Sequence, residues 1–367
     1  MTNAWHRRAF LAAGASTLVF PGAFPAAAQN QPPLKTIAQA RGITFGTATA
    51  SYQLQDATFA PLLASQAAQL VPEYEMKRDA LEPQPGRYDF SALDQLFAFA
   101  GRNRLSMRGH TLVWYYSNPP WLKPALEARR DERLMTDHIQ TVLQRYRMSS
   151  VDVVNEALQP PNEAAVRPDG LRPSLWLDAF GPGYIDLAFH AARAAAPQTI
   201  LVYNEWGFEQ GGPENDRFRS LTLRFLDGLL KRGTPIDALG IQGHLSAFGN
   251  RVDQRKLARF VQEIRDRGLI VLVTELDVDD TGGPYAIAAR DQGVADEARR
   301  FLDVVLDCPA TRAVLTWSLS DRYVDPPDDW KLKLMGWRLR KTPYDDQFRP
   351  KPLWDAIAQA FAAKRIY

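Results

Sequence analysis

Two glutamates stand out because of what precedes them. Glu156 ends the run "VDVVNEA" (Val151 to Ala157), and Glu275 sits in "LIVLVTELDV" (Leu269 to Val278). A carboxyl that emerges from an apolar strand is partly desolvated, and two of them sharing a pocket have their pKa values pushed apart. That separation allows one to act as proton donor and the other as nucleophile. Trp114 and Trp317 follow similar apolar runs and offer flat faces suited to sugar rings. Paired carboxylates with aromatic platforms suggest glycoside hydrolysis. The competing explanation for each residue is a solvated strand end, so the elements that carry them decide the matter.

From Ile43 onward one pattern recurs: a short apolar or β-branched run, a polar cluster at its end, then a stretch with helical periodicity. The runs span residues 43–49, 69–77, 105–114, 151–157, 199–207, 238–246, 269–278 and 312–321, eight candidate strands. Between them lie helical segments such as "FSALDQLFAFAGRN", with Ser91 expected as N-cap, and "DRFRSLTLRFLDGLLKRG" ending at Gly233. Alternating strand and helix implies parallel strands joined by crossovers. Eight repeats predict an α/β fold, a (β/α)8 TIM barrel, as a single domain over residues 29–367. An open doubly wound sheet would also alternate, but neither a Gly-x-Gly-x-x-Gly turn nor a phosphate loop follows the first strand.

In such a barrel the active site lies at the carboxyl ends of the strands. Those ends carry Glu73, Glu75 and Lys77; His110 and Trp114; Asn155 and Glu156; Asn204 and Glu205; Gln242 and His244; Glu275 and Asp277; then Trp317 and Asp321. Scattered surface charges would not choose the same end of seven successive strands. A metal centre is not expected: the five histidines show no His-Glu-x-x-His spacing, and Ala288 stands where the closing Glu of a calcium loop starting at Asp277 is required. No cofactor is expected either, and no Gly-x-Ser-x-Gly nucleophile elbow occurs.

Composition is that of a folded globular chain, 46% apolar and 23% charged over 367 residues. The first 28 residues contain Arg7 and Arg8, an apolar run broken by Pro21, and Ala26-Ala27-Ala28 before Gln29. This order predicts a cleavable signal peptide of twin-arginine type over residues 1–28, and hence export to the periplasm or medium. Arg7 and Arg8 are the only charged residues there, so the remainder carries 42 basic and 42 acidic residues. That balance recruits neither nucleic acid nor a membrane surface, and a monomer is expected. Cys308, the single cysteine, excludes an internal disulfide and reads as a buried structural thiol.

Together "RGHTLVW", "VDVVNEA", "IQGHLS", "VTELDV" and "FRPKPLWDAI" resemble glycoside hydrolase family 10, the endo-1,4-β-xylanase family, from about Ile43 to Ala360. The resemblance implies a retaining double displacement on β-1,4-xylan or xylo-oligosaccharides, with Glu156 as acid/base and Glu275 as nucleophile. It further implies that Asn155 binds the 2-hydroxyl of the reacting sugar and that His244, with Gln242 beside it, keeps Glu275 ionised. Glu73, Lys77, His110 and Trp114 are implied as substrate-binding residues and Trp317 as the platform under the reacting ring. Asp152 and Asp277 read as carboxylates that orient histidines or as structural ion pairs.

The chain departs from the family pattern around the cleft. "EYEMKR" has Tyr74 where the family usually has Asn and Arg78 where it has Trp. Tyr115 and Ser117 replace a His and a Gln, Ser318 a common Gly, and "NEWG" the usual Asn-Asp-Tyr-Asn. The Trp of the final loop is replaced near Asp325, with Trp330 a shifted substitute. These differences keep open another preferred glycan for the same mechanism; a non-catalytic sugar-binding protein is the third alternative.

Overall fold

In the computed structural model, residues 31–160, 163 and 167–365 are described. The expected signal segment and its cleavage site therefore lie outside the described residues. Ten strands form one parallel sheet: β1 (Thr44–Thr49), β2 (Gln69–Pro72), β3 (Ser106–Gly109), β4 (Val113–Trp114), β5 (Ser150–Asn155), β6 (Ile200–Glu205), β7 (Ala238–Ile241), β8 (His244–Ser246), β9 (Ile270–Asp279) and β10 (Thr311–Thr316). The order β1-β2-β3-β5-β6-β7-β9-β10 closes on itself through β10–β1, giving the eight-stranded barrel expected from the alternating pattern.

Two of the eight runs are split, and both breaks fall at polar residues of the predicted site. The third run divides into β3 and β4 around His110, and the sixth divides into β7 and β8 around Gln242 and Gly243. Gly243 has a φ of 79°, a left-handed conformation natural for glycine. Leaving the ladder at these points turns the side chains toward the barrel mouth.

Six strands contribute small or branched residues to the barrel interior: Ala48, Val71, Val202, Ala238, Leu272, Ala313 and Leu315, with Trp317 packed above them. A larger apolar shell joins the outer strand faces to the helices, and Cys308 is buried within it. The helix Pro352–Ala363 closes the shell, its Phe361 meeting Phe45 of β1 edge-on at 5.9 Å.

Helix ends follow the sequence signals with one correction. The helix Pro213–Lys231 stops before Gly233 (φ 78°), and Gln254–Asp266 is capped by the Asp253 side chain. Ser91, however, is the first helical residue rather than the cap. Asp89 accepts from the Ser91 backbone N–H at 2.9 Å and from its hydroxyl at 2.6 Å, so the longer acid two residues earlier takes the capping work.

Candidate active site

Strand register brings the candidate residues side by side. Trp114 of β4 is level with Asn155 of β5, and Asn155 is level with Asn204 of β6. His244 of β8 is level with Asp277 of β9, and Trp317 follows directly on β10 with its backbone N–H on Leu276 O. Glu156 is the first residue beyond β5; its φ of 53° swings the side chain out of the ladder.

A continuous hydrogen-bond path links the two glutamates. Glu156 Oε1 accepts from Gln242 Nε2 at 3.0 Å and from Asn155 Nδ2 at 3.2 Å. Asn155 Oδ1 accepts from Asn204 Nδ2 at 2.8 Å, and the same Nδ2 donates to Glu275 Oε1 at 2.8 Å. Thr274 fixes the amide orientation of Asn204 by donating to its Oδ1 at 2.7 Å. Asn204 was visible at its strand end in the sequence, yet nothing there indicated contact with Glu275. The signal that bears on it is Gly240: a Cβ there would lie 2.2 Å from Asn204 Oδ1, so only glycine leaves room for the amide.

The environment of Glu275 favours its ionised form. Burial, at 5% exposure, raises its pKa. The hydrogen bond from His244 Nε2 at 3.2 Å, the proximity of His110 and the bond from Asn204 together outweigh burial, and the net shift is downward. His244 is itself raised to about 10: desolvation opposes this, and Asp277 (2.8 Å from Nδ1) and Glu275 overcome it. Its side chain is 36% exposed, so solvent screening moderates the pull. Asp277 is lowered to about 2, burial being more than offset by Lys341 at 2.6 Å and by His244. The line Lys341–Asp277–His244–Glu275 alternates in charge and ends on a carboxylate.

Asp152 plays the corresponding part for His110. Its Oδ2 lies 2.9 Å from His110 Nδ1 and its Oδ1 pairs with buried Arg108. Both Asp152 and Asp277 therefore orient a histidine and form an ion pair at the same time. His110 packs edge-on against Trp317 at 5.4 Å and lies 6.2 Å from Trp114. Lys77 Nζ stands 5.2 Å from the Trp114 ring; burial lowers its pKa, and Glu275, Glu73, Asp79 and Glu156 act in the opposite direction. Glu73 accepts from Gln53 at 3.1 Å and lines a cavity of about 530 Å³ with Trp317, Ser318, Asp325 and Lys341.

All ten residues singled out in the sequence thus meet at one barrel mouth. Three others from the same strand ends or loops do not. Glu75 accepts the Ser51 N–H at 2.5 Å and serves the backbone. Asp321 pairs with Lys351 at 2.6 Å, both buried. Trp330 is 67% exposed and lies outside the cavity wall, where Asp325, Asp328, Asp329 and Leu332 stand instead. Lys341 is a site residue that the sequence did not reveal, because it reaches Asp277 from a loop 64 residues away.

A parallel eight-stranded barrel with two carboxyls bridged by amides and flanked by two tryptophans is a glycoside-hydrolase architecture. The family model described as glycosyl hydrolase family 10 matches residues 33–360, and the chain belongs to that family. It is 29% identical over 340 residues to endo-1,4-beta-xylanase B of Thermotoga neapolitana, covering 90% of this chain and 92% of that one. Among solved structures it resembles the endo-1,4-beta-xylanase XylE of Penicillium canescens, with a TM-score of 0.78, 27% identity, and coverage of 92% and 99%. It also resembles xylanase 10B of Thermotoga petrophila RKU-1 in complex with xylobiose, with a TM-score of 0.77, 25% identity, and coverage of 90% and 97%.

Proposed function

We propose that the protein is an endo-1,4-β-xylanase that hydrolyses β-1,4-xylosidic bonds in xylan or xylo-oligosaccharides by a retaining double displacement. Glu275 attacks the anomeric carbon while Glu156 protonates the leaving oxygen; Glu156 then takes a proton from water, which releases the sugar from Glu275. The observation that carries this reading is the asymmetry of the pair. Glu275 is buried and held anionic by His244, His110 and Asn204, as a nucleophile requires. Glu156 is less buried, and its donors among the described residues are the neutral amides of Asn155 and Gln242 rather than a histidine. Relatives bearing the xylanase name and a structural neighbour holding xylobiose support the substrate class.

The test is hydrolysis of aryl β-xylobioside compared with its glucosyl and mannosyl equivalents, with the anomer of the first product followed by NMR. Retention of the β configuration and preference for xylose are expected; inversion or a glucosyl preference sinks the reading. Glu275→Ala should lower kcat by at least about 10⁴-fold without unfolding the chain.

The non-reducing side of the cleft is retuned. Arg78 does not enter the cleft in place of the family's Trp; it is buried, stacked on Trp121 and Trp176 at 5.5 and 5.4 Å and paired with Glu82 at 2.9 Å. Tyr74 is 49% exposed and donates to Asp79 at 3.1 Å, and Arg172 lies 4.2 Å over Tyr115. The cleft there exchanges an amide and an imidazole for two phenol rings and a second amide for a hydroxyl, which suits short or decorated xylo-oligosaccharides. Ordinary product sizes from unsubstituted polymeric xylan would count against this.

Export also belongs to the proposal, supported by the arginine pair, the apolar run and the alanines before Gln29. The expected mature protein starts near Gln29 and acts in the periplasm or medium as a monomer; mass spectrometry of the exported protein finding Met1 or Thr2 at its start would refute this.

A further inference from the structure

We propose that Glu205 is a positioning residue for the proton donor: its buried carboxyl holds the turn that carries Glu156, so that proton delivery to the leaving oxygen depends on it. This rests on the assignment of Glu156 as acid/base.

Glu205 ends β6 and has no exposed surface. Its Oε2 accepts from the Leu158 backbone N–H at 3.2 Å and from the Tyr203 hydroxyl at 2.7 Å; its Oε1 accepts from the Trp206 N–H at 3.1 Å. Leu158 is two residues beyond Glu156, whose left-handed backbone (φ 53°) is costly for a residue with a Cβ and persists only where neighbours impose it. Those neighbours are few and specific. The Glu156 N–H donates to Asn204 O at 2.9 Å, one residue before Glu205, and Arg172 closes the far side through its N–H to Ala157 O (2.8 Å) and its Nε to Leu158 O (3.3 Å). Two consecutive residues of β6 thus grip the turn on both sides of the proton donor.

A buried carboxyl with no cation in hydrogen-bond contact among the described residues is expensive to retain as a structural device. The titratable and charged groups around it are Glu156, Arg172, Tyr203, Tyr184 and Tyr115. Burial, and after it the charge on Glu156, raise its pKa to about 8. When protonated, the carboxyl donates to the Tyr203 oxygen while still accepting from the two backbone N–H groups, and so holds the turn without placing a second negative charge beside the donor.

The experiment compares kcat/KM for 2,4-dinitrophenyl and phenyl β-xylobiosides in Glu205→Gln, Tyr203→Phe and, as reference, Glu156→Ala. A dinitrophenolate leaves without protonation, whereas a phenolate needs the acid. Glu205→Gln sets an amide NH2, which cannot accept, against either the Leu158 N–H or the Trp206 N–H, and should lower kcat/KM on the phenyl substrate about tenfold or more, leaving the dinitrophenyl substrate within about threefold. Tyr203→Phe, which keeps the buried ring, should show the same selectivity at a few-fold, and carries the test if the Gln variant does not fold. Equal losses on both substrates in the folded variants would overturn the proposal while Glu156→Ala still discriminates between leaving groups. Loss of discrimination in Glu156→Ala itself would instead overturn the acid/base assignment.

Discussion

Charge alternation organises the site at the scale of single residues. Glu275 remains anionic because a histidine cation is held against it, and that cation exists because Asp277 and Lys341 stand behind it. Replacing His244 by Gln removes the positive neighbour, so the Glu275 pKa should rise and the acidic limb of the kcat/KM profile should move up by about one pH unit. The imidazole's folded-state pKa is raised above its usual 6.5, so its contribution to stability is complete below that value and disappears as pH rises through about 10. No loss of activity from His244 titration is therefore expected near neutrality, which a pH–rate profile of the unaltered protein checks. These residue types at strand ends were legible in the sequence, as were Glu156 and Glu275 themselves. Their protonation was not, because it depends on neighbours from other strands.

Elements position these residues by where strands stop. β3 and β7 both end one step before a polar residue that faces the mouth, and Gly240 in β7 leaves the space that Asn204 of β6 occupies. Gly240→Ala should therefore displace Asn204 from Glu275 and cut kcat by about tenfold or more, with a smaller effect on KM and a folded circular dichroism spectrum. The loop carrying Lys341 is the other device. Asp277 has a folded-state pKa below its ordinary 3.8, so the pair contributes stability that is present above that value and is lost as pH falls toward about 2. Lys341→Met should cost about 2 kcal/mol at pH 6, with the difference from the parent shrinking in acid; equal destabilisation at pH 3 and pH 6 would refute the account. Ser318, at φ 83°, stands where a glycine relieves strain, and Ser318→Gly should raise stability by about 0.5–1 kcal/mol in a thermal melt. Strand existence followed from apolar runs, but the two interruptions did not, since the stretches around His110 and Gln242 each read as one continuous strand.

At the scale of the molecule, closure of the barrel ties its first and last elements together. β10 pairs with β1, and the helix Pro352–Ala363 packs beside Leu34–Gln39 with Phe361 against Phe45. Truncating that ring, Phe361→Ala, should cost about 3–5 kcal/mol although it lies far from the cleft, and lower Tm with the kinetics of the folded fraction unchanged. A rigid, closed wall keeps the two glutamates in register while the loops between strands vary. The altered residues Tyr74, Tyr115 and Asp325 lie on those loops, and Arg78 opens the short helix Arg78–Leu81.

The sequence by itself determined the barrel, the end of the barrel that carries chemistry, and the two carboxyls, because strand period, strand count and residue type are local properties of the chain. It also placed the family resemblance on five motifs, four of which the structure gathers at one mouth while "FRPKPLWDAI" leads into the closing helix. Only the tertiary structure decided that Asn204 bridges Glu156's neighbour to Glu275, that Lys341 supports the histidine line, that Arg78 turns away from the cleft and Trp330 away from the cavity, and that Glu205 grips the turn of Glu156. The contacts among these join residues far apart in sequence, apart from the Arg78–Glu82 pair, and are set by register between strands and by the space that a glycine or a loop leaves open. No local pattern encodes them.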